Sequence, residues 1–216
     1  MRSHRNAEGY EGKLLFMTDP ICSWCWGTLP EFMTVKEALG ERLSFELKCA
    51  GLQIGSMKPL TPSHTNDLVK LWRNVAETTG QEFAFTLPAD KNFIYHSELA
   101  CRTLQIARRE LGREPWQEFH DMQRAFYVDA QNLGDLDVLY QLSGDTGLTQ
   151  DQFEDAIQSE QVTHQTRKEF DWCRVQGTQA LPTLFLDVGE GPKLVCGGYA
   201  TADFLIPEIS SRLTTH

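Results

Sequence analysis

Asp19-Pro20-Ile21-Cys22-Ser23-Trp24-Cys25-Trp26-Gly27 is the stretch on which the fold turns. Before it, Lys13 to Thr18 is a short apolar run closed by Asp19-Pro20, the pattern of a buried strand stopped by a turn. Behind it, Ser23 to Leu39 carries Trp26, Leu29, Phe32, Met33, Val35 and Leu39 at helical spacing, with Gly40 as the stop. Pro30 removes a backbone donor inside that helix and predicts a kink. Arg42 to Cys49 then alternates, with Leu43, Phe45, Leu47 and Cys49 on one face and Ser44, Glu46 and Lys48 on the other, the period of a second strand. Strand, helix and strand within about 40 residues make a βαβ unit, which implies a right-handed crossover between parallel strands.

Past Ala50-Gly51 the texture changes. Gly55, Pro59, Pro62 and Pro88 punctuate a loop-rich stretch around one expected helix, Asn66 to Thr78. Ser97 is placed to cap a helix with Leu99, Ala100, Leu104, Ala107 and Leu111 on one face, and Pro115 suits the first turn of the next. Asp135 caps a third, Thr149 with Gln152 has capping-box spacing for a fourth, and Val162, Thr166, Phe170 and Cys173 share a face of a fifth that stops at Gly177. Strand texture returns at Thr183 to Asp187 and Lys193 to Cys196 around a Gly/Pro turn, a hairpin, and Thr201 to Leu213 closes the chain as a helix. Neither half holds a complete sheet, so the economical reading is one sheet domain interrupted by a helical insertion at about 60–160.

The 216 residues, 41% hydrophobic and 23% charged with 12 Phe and 5 Trp, can fill a substantial core. No apolar run approaches the roughly 18 residues of a membrane span. A net charge of −10 repels phosphate backbones and anionic lipid, so neither nucleic acid nor membrane is an expected partner. The stretch Met1 to Tyr10 has basic residues but no apolar segment behind them, so it fails as a secretory signal, and the initiating Met1 favours the cytoplasm. Six cysteines fall far below the roughly 8–10% of a disulfide scaffold. In a reducing cytosol a CxxC pair is more often redox-active or metal-binding than structural.

Cys22 and Cys25 are that pair. Cys22 follows strand and turn and precedes the helix, so its sulfur is expected at a helix N-terminus, where unpaired N–H groups and the macrodipole favour a thiolate over the free thiol. Cys25, one turn on, faces the same side. Cys22 is therefore the expected nucleophile and Cys25 the resolving thiol. A structural disulfide would constrain little chain in so small a loop, and half a zinc site lacks a second CxxC or a His close behind, so no metal is expected. Cys49, Cys101, Cys173 and Cys196 fall on apolar faces and read as buried, inert thiols. Trp24 and Trp26 either flank the site as an apolar substrate surface or pack, with Trp24, between the thiols, read as surface. His96 reads as a local loop residue, and Glu46 and Lys48 point away from the apolar face of their strand. Pro182, at the start of a strand in Gly177-Thr178-Gln179-Ala180-Leu181-Pro182-Thr183, cannot donate to a sheet ladder and marks an edge, a bulge or a cis turn.

Over about residues 13–213 this order resembles the DsbA family of thioredoxin-fold oxidoreductases, nearest its cytoplasmic FrnE-like or protein-disulfide-isomerase-like members. The resemblance rests on Asp19 to Gly27, on Ser97-Glu98-Leu99-Ala100-Cys101-Arg102 and on Leu181-Pro182-Thr183. It implies an α/β thioredoxin-like fold, a central mixed sheet flanked by helices, with residues 13–60 and 160–213 as a discontinuous domain and 61–159 as a helical insertion. It further implies a cis Leu181-Pro182 bond lying against the CxxC pair, the Leu181 backbone pairing with a substrate strand, and Pro182 keeping metals off the thiols. Ser23, Trp24, Leu181 and Pro182 are the expected substrate-binding residues beside the catalytic Cys22 and Cys25. The dipeptide Ser23-Trp24 differs from the Pro-His of strongly oxidising periplasmic members, and Leu181 is bulkier than the usual Val or Thr. The direction of electron flow is thus open among oxidase, isomerase and reductase, because 30 mV is about 1.4 kcal/mol for this couple.

The expected function is thiol–disulfide exchange on protein or small thiol and disulfide substrates, without a cofactor, with glutathione the candidate co-substrate. An alternative is a glutathione-dependent isomerase or transferase of the 2-hydroxychromene-2-carboxylate isomerase or kappa type. Those usually carry Ser at the position of Cys22 and lack the second thiol. A further alternative is a non-catalytic chaperone or adaptor.

Overall fold

β1 (Gly12–Thr18) sits inside a four-stranded sheet, with every residue but Lys13 buried. The structure, a computed structural model, describes residues 9–90, 93–177 and 180–214. After β1 come α1 (Ser23–Leu39), β2 (Leu43–Cys49), α2 (Pro62–Thr79), α3 (Glu98–Leu111), α4 (Trp116–Tyr127), α5 (Leu136–Gln141), α6 (Gln150–Gln158) and α7 (Glu160–Val175). The chain then makes β3 (Thr183–Asp187), β4 (Lys193–Gly197) and α8 (Ala202–Thr214). The sheet order is β2-β1-β3-β4. β1 runs parallel to β2, in register from Gly12 against Leu43 to Thr18 against Cys49, and antiparallel to β3. β3 pairs antiparallel with β4 through an irregularity at Leu184/Phe185. This is a mixed sheet flanked by helices, the DsbA-like thioredoxin fold.

Alternation along β1 separates two apolar layers. Leu14 and Phe16 enter the large core, whereas Leu15 and Met17 face a smaller one with Cys173 and Phe185. In the large core Phe16 stacks on Phe32 of α1 at 4.3 Å and meets Phe119 of α4 edge-on at 6.5 Å. The helices of the central stretch therefore share one core with the sheet. α1 runs through Pro30 and approaches α2 so closely that a Cβ on Gly27 would lie 2.8 Å from both Val75 and Thr79 side chains.

Several expectations shift. The second helix begins at Pro62, four residues before the expected Asn66, because Thr61 accepts from the His64 N–H and Pro62 occupies the first turn, where its missing donor costs nothing. Ser97 does not cap α3; its hydroxyl is drawn away to Asp19. Cys196 is half-buried rather than core, since β4 is an edge strand with Lys193 and Leu194 exposed. Trp26 packs: it is buried and donates from Nε1 to the Glu82 carbonyl. Asp135 and Thr149 cap as read, the latter in a full capping box with Gln152. Leu181-Pro182 is cis. Thr178 and Gln179 of the proline motif, and residues 1–8 of the N-terminal reading, lie outside the described residues.

Candidate active site

The turn after β1 delivers Cys22 to the N-cap of α1 in extended conformation, with its carbonyl accepting from the N–H groups of Cys25 and Trp26 at 3.0 and 3.1 Å. No side chain caps this terminus, so the first turn of α1 leaves its positive end beside the Cys22 sulfur. Cys22 is 8% exposed and Cys25 is fully buried behind it. Burial, then the neighbouring Cys22, pushes the Cys25 thiol well above its ordinary range. The pair is thus asymmetric: one sulfur meets solvent at a helix start, and the other is held as a thiol one turn deeper.

On the far side of the Cys22 sulfur, the Leu181 carbonyl oxygen lies at 3.9 Å. Cys22 and Leu181 share the wall of a cavity of about 480 Å³ with Met17, Gly51, Leu52 and Phe170. Arg174 is the cation at its rim, and Cys173 lies deeper, donating to the Cys49 carbonyl at 3.4 Å. Trp24 is half-buried beside Tyr199, with centroids 6.3 Å apart, and Ser23 is buried at the start of α1. The structure therefore brings Cys22, Cys25 and Leu181-Pro182 together from the two ends of the chain. Trp26 and His96 are not part of this assembly: Trp26 belongs to the core and the His96 N–H bonds the Ile94 carbonyl.

Cys101 and Cys173 have thiols pushed up chiefly by burial, which disfavours their nucleophilic form. Glu46 and Lys48 are engaged with each other and with Lys13 and Glu169, and Lys48 also lies over the Trp172 ring at 5.5 Å.

The residue that sequence reasoning passed over is Asp19. Its carboxylate is wholly buried and accepts from the Ile21 N–H at 3.0 Å, the Leu52 N–H at 2.8 Å and the Ser97 hydroxyl at 2.7 Å, while its carbonyl accepts from the Cys22 N–H. Burial raises its pKa to about 6 against the pull of those donors. The only signal was a charged residue two positions after the apolar run Leu14 to Met17. Among the described residues no group of three or more His, Cys, Asp and Glu is arranged to hold a metal ion, and no helix is long and apolar enough to cross a membrane.

Comparison with known proteins places these features. No protein-family model matches the chain. A proposed protein disulfide isomerase from Nitrosomonas europaea has a TM-score of 0.84 and 28% identity, over 95% of this chain and 99% of that one. The cytosolic disulfide reductase DsbM from Pseudomonas aeruginosa has a TM-score of 0.72 and 19% identity over 94% and 100%, and it has also been solved with GSH. A 2-hydroxychromene-2-carboxylate isomerase shares the fold at a TM-score of 0.62 and 16% identity, over 94% and 96%. Among curated proteins, the ClpXP adapter protein SpxH of Bacillus subtilis is 20% identical over 176 residues, 80% of this chain. The chain spans 57% of that relative's length. The neighbours thus include DsbA-like, thioredoxin-fold disulfide oxidoreductases, and Cys22 and Cys25 form a CxxC pair within that fold.

Proposed function

We propose that this chain is a protein disulfide oxidoreductase or isomerase in which Cys22 is the nucleophile and Cys25 resolves. The observation that carries the reading is the asymmetry of the pair: Cys22 on a cavity wall at the start of α1, Cys25 buried behind it. The Cys22 thiolate attacks one sulfur of a substrate disulfide, forming a mixed disulfide and expelling the other substrate sulfur as a thiolate. Cys25 gives up its proton and attacks the Cys22 sulfur, which releases the remaining substrate thiolate and leaves the Cys22–Cys25 disulfide. The reverse sequence oxidises a substrate dithiol. Ser23, Trp24, Leu181 and Pro182 are the substrate-binding residues, with the Leu181 carbonyl beside Cys22 as an acceptor for an incoming N–H. Glutathione is the small-thiol co-substrate that returns the pair to its working state, a reading supported by the DsbM structure with GSH. The reaction needs no cofactor, and the cytoplasm is the proposed compartment, as for DsbM. Residues 13–60 and 160–213 act as the thioredoxin-like unit and 61–159 as its insertion.

An adaptor role is the second reading, favoured by the similarity to SpxH. The two separate on the cysteines. Cys22→Ser is expected to bring insulin reduction and dithiol oxidation down to the uncatalysed rate, and Cys25→Ser to accumulate a mixed disulfide at Cys22. Full activity in Cys22→Ser would discard the exchange reading. Activity surviving in Cys25→Ser alone would favour a monothiol, glutathione-dependent chemistry of the isomerase type.

A further inference from the structure

We infer that the open pocket between α2 and the loop after β2 takes a bulky apolar side chain of a substrate polypeptide, close in sequence to the cysteine that Cys22 attacks. This rests on the exchange reading above and deepens it, because it makes a polypeptide, rather than a small disulfide, the preferred substrate.

The pocket, of about 380 Å³, is a separate space from the cavity beside the Cys22 sulfur. Leu60 from the loop, Leu68 and Leu71 from α2, and Tyr95 give it apolar walls. α2 turns Trp72 and Val75 into the core but leaves Leu71 39% exposed. On the loop, Ile54 and Met57 are 45% and 79% exposed. Single exposed apolar side chains are ordinary, whereas several around one concavity mark a binding surface. The polar groups of the pocket come from Gln53, Ser56, His64 and Asp67, the last paired with Lys70 at 3.5 Å. Apolar walls with a few polar groups suit an apolar side chain and the peptide backbone that carries it.

Two observations tie this pocket to Cys22. Leu52 and Ile54 line the Cys22 cavity while Gln53 and Ser56 line the pocket, so one short turn of chain is the wall of both. That wall is fixed. The Leu52 N–H is held by the Asp19 carboxylate and the Ser97 hydroxyl, and the Ser56 N–H closes the turn onto the Gln53 carbonyl at 3.1 Å. Tyr95 supplies the second tie: its hydroxyl donates at 2.8 Å to the carbonyl of Ile21, the residue before Cys22, and its ring lies 6.1 Å from that of Phe126. The pocket is therefore preformed, so filling it costs little ordering of the protein. A polypeptide whose cysteine is engaged at Cys22 runs along the shared wall and has a place beside it to bury an apolar side chain. Glutathione has no such side chain to place there.

The test uses blocked peptides of Gly and Ser with one cysteine held in a mixed disulfide with 2-mercaptoethanol. Paired peptides differ only in Phe or Ser at one position, which is moved along either side of the cysteine. Single-turnover reduction by the pre-reduced full chain is followed against peptide concentration; peptide thiol and 2-mercaptoethanol are released as the Cys22–Cys25 pair closes to a disulfide. At the best position the Phe peptide is expected to half-saturate at a concentration about tenfold lower than its Ser partner, with a similar limiting rate. Ser56→Trp, which fills the pocket, and Leu71→Asp, which charges it, are each expected to abolish that difference and to leave reduction of hydroxyethyl disulfide unchanged. Equal half-saturation at every position, or a Phe preference that survives both variants, overturns the proposal. A dimer in sedimentation that Leu71→Asp dissolves assigns the pocket to a second copy of the chain and also overturns it. If neither the peptides nor hydroxyethyl disulfide is reduced, the exchange reading fails, and calorimetric binding of the same peptides with Ser in place of Cys still decides whether the pocket takes Phe.

Discussion

Asp19 and Cys25 are two groups that burial moves in the same direction for different ends. For Cys25, burial keeps the sulfur protonated, which suits the resolving role proposed for it. For Asp19, burial sets a stability cost with a definite sign. Its folded pKa of about 6 lies above its usual 3.8, so between about pH 4 and 6 the native state holds a proton that the unfolded chain has released. Stability then falls as pH rises through that interval, by about 3 kcal/mol for a shift of this size, and the cost of the buried anion persists above it. Asp19→Asn removes the titration but presents an amide N–H to one of the N–H groups the carboxylate now accepts. The difference in urea-unfolding free energy between wild type and variant should therefore move against wild type from pH 4 to pH 7. A pH-independent difference would contradict this assignment.

At the scale of elements, α3, α7 and β2 are joined by one guanidinium. Arg108 of α3 donates to Glu114 at 3.1 Å, to Glu169 of α7 at 3.2 Å and to the Leu47 carbonyl of β2 at 2.7 Å, and Glu169 in turn accepts from the Cys49 N–H. Glu169 is buried, so removing Arg108 leaves its carboxylate with only the Cys49 N–H and Lys48 at 3.9 Å to offset its charge. Arg108→Ala should cost about 3 kcal/mol, read as a lower urea midpoint at unchanged slope, and more than a surface pair such as Arg174 with Asp171. A loss within that of the surface pair would show the network to be ornamental to stability. The elements themselves were legible where local chemistry decides them: the alternation of Leu43 to Cys49, the capping box at Thr149 and the Gly/Pro turn between β3 and β4. They were misread where a distant partner decides. Ser97 has the composition of a cap, but Asp19, 78 residues away, claims its hydroxyl. The start of α2 was hidden because Pro62 reads equally as loop punctuation and as a first-turn residue. Cys196 has an apolar neighbourhood in sequence, and only the strand order, which puts β4 at the edge, exposes it.

At the scale of the molecule, Cys22 and the Leu181 carbonyl, 159 positions apart, meet because β1 and β3 are neighbours in the sheet. The CxxC pair and its place at a helix start could be read from residues 13–49 alone. The cavity could not, because its walls come from β1, the loop after β2, α7 and the approach to β3. The stretch 61–159, proposed above as an insertion, shares its core with the sheet: Phe16, Phe32 and Phe119 lie in one core cluster. Calorimetry should therefore show a single transition with equal calorimetric and van't Hoff enthalpies, and two resolved transitions would mean that 61–159 folds as a separate unit. The central claim is that Cys22 and Cys25 alone form the redox couple. Its most direct test is to equilibrate the chain in a series of glutathione buffers, quench with acid, and map the disulfides by mass spectrometry. The account predicts one reversible Cys22–Cys25 disulfide, with Cys49, Cys101 and Cys173 recovered as thiols throughout. Cys22 and Cys25 remaining free thiols across the series, or a disulfide forming among the other cysteines in their place, would contradict it.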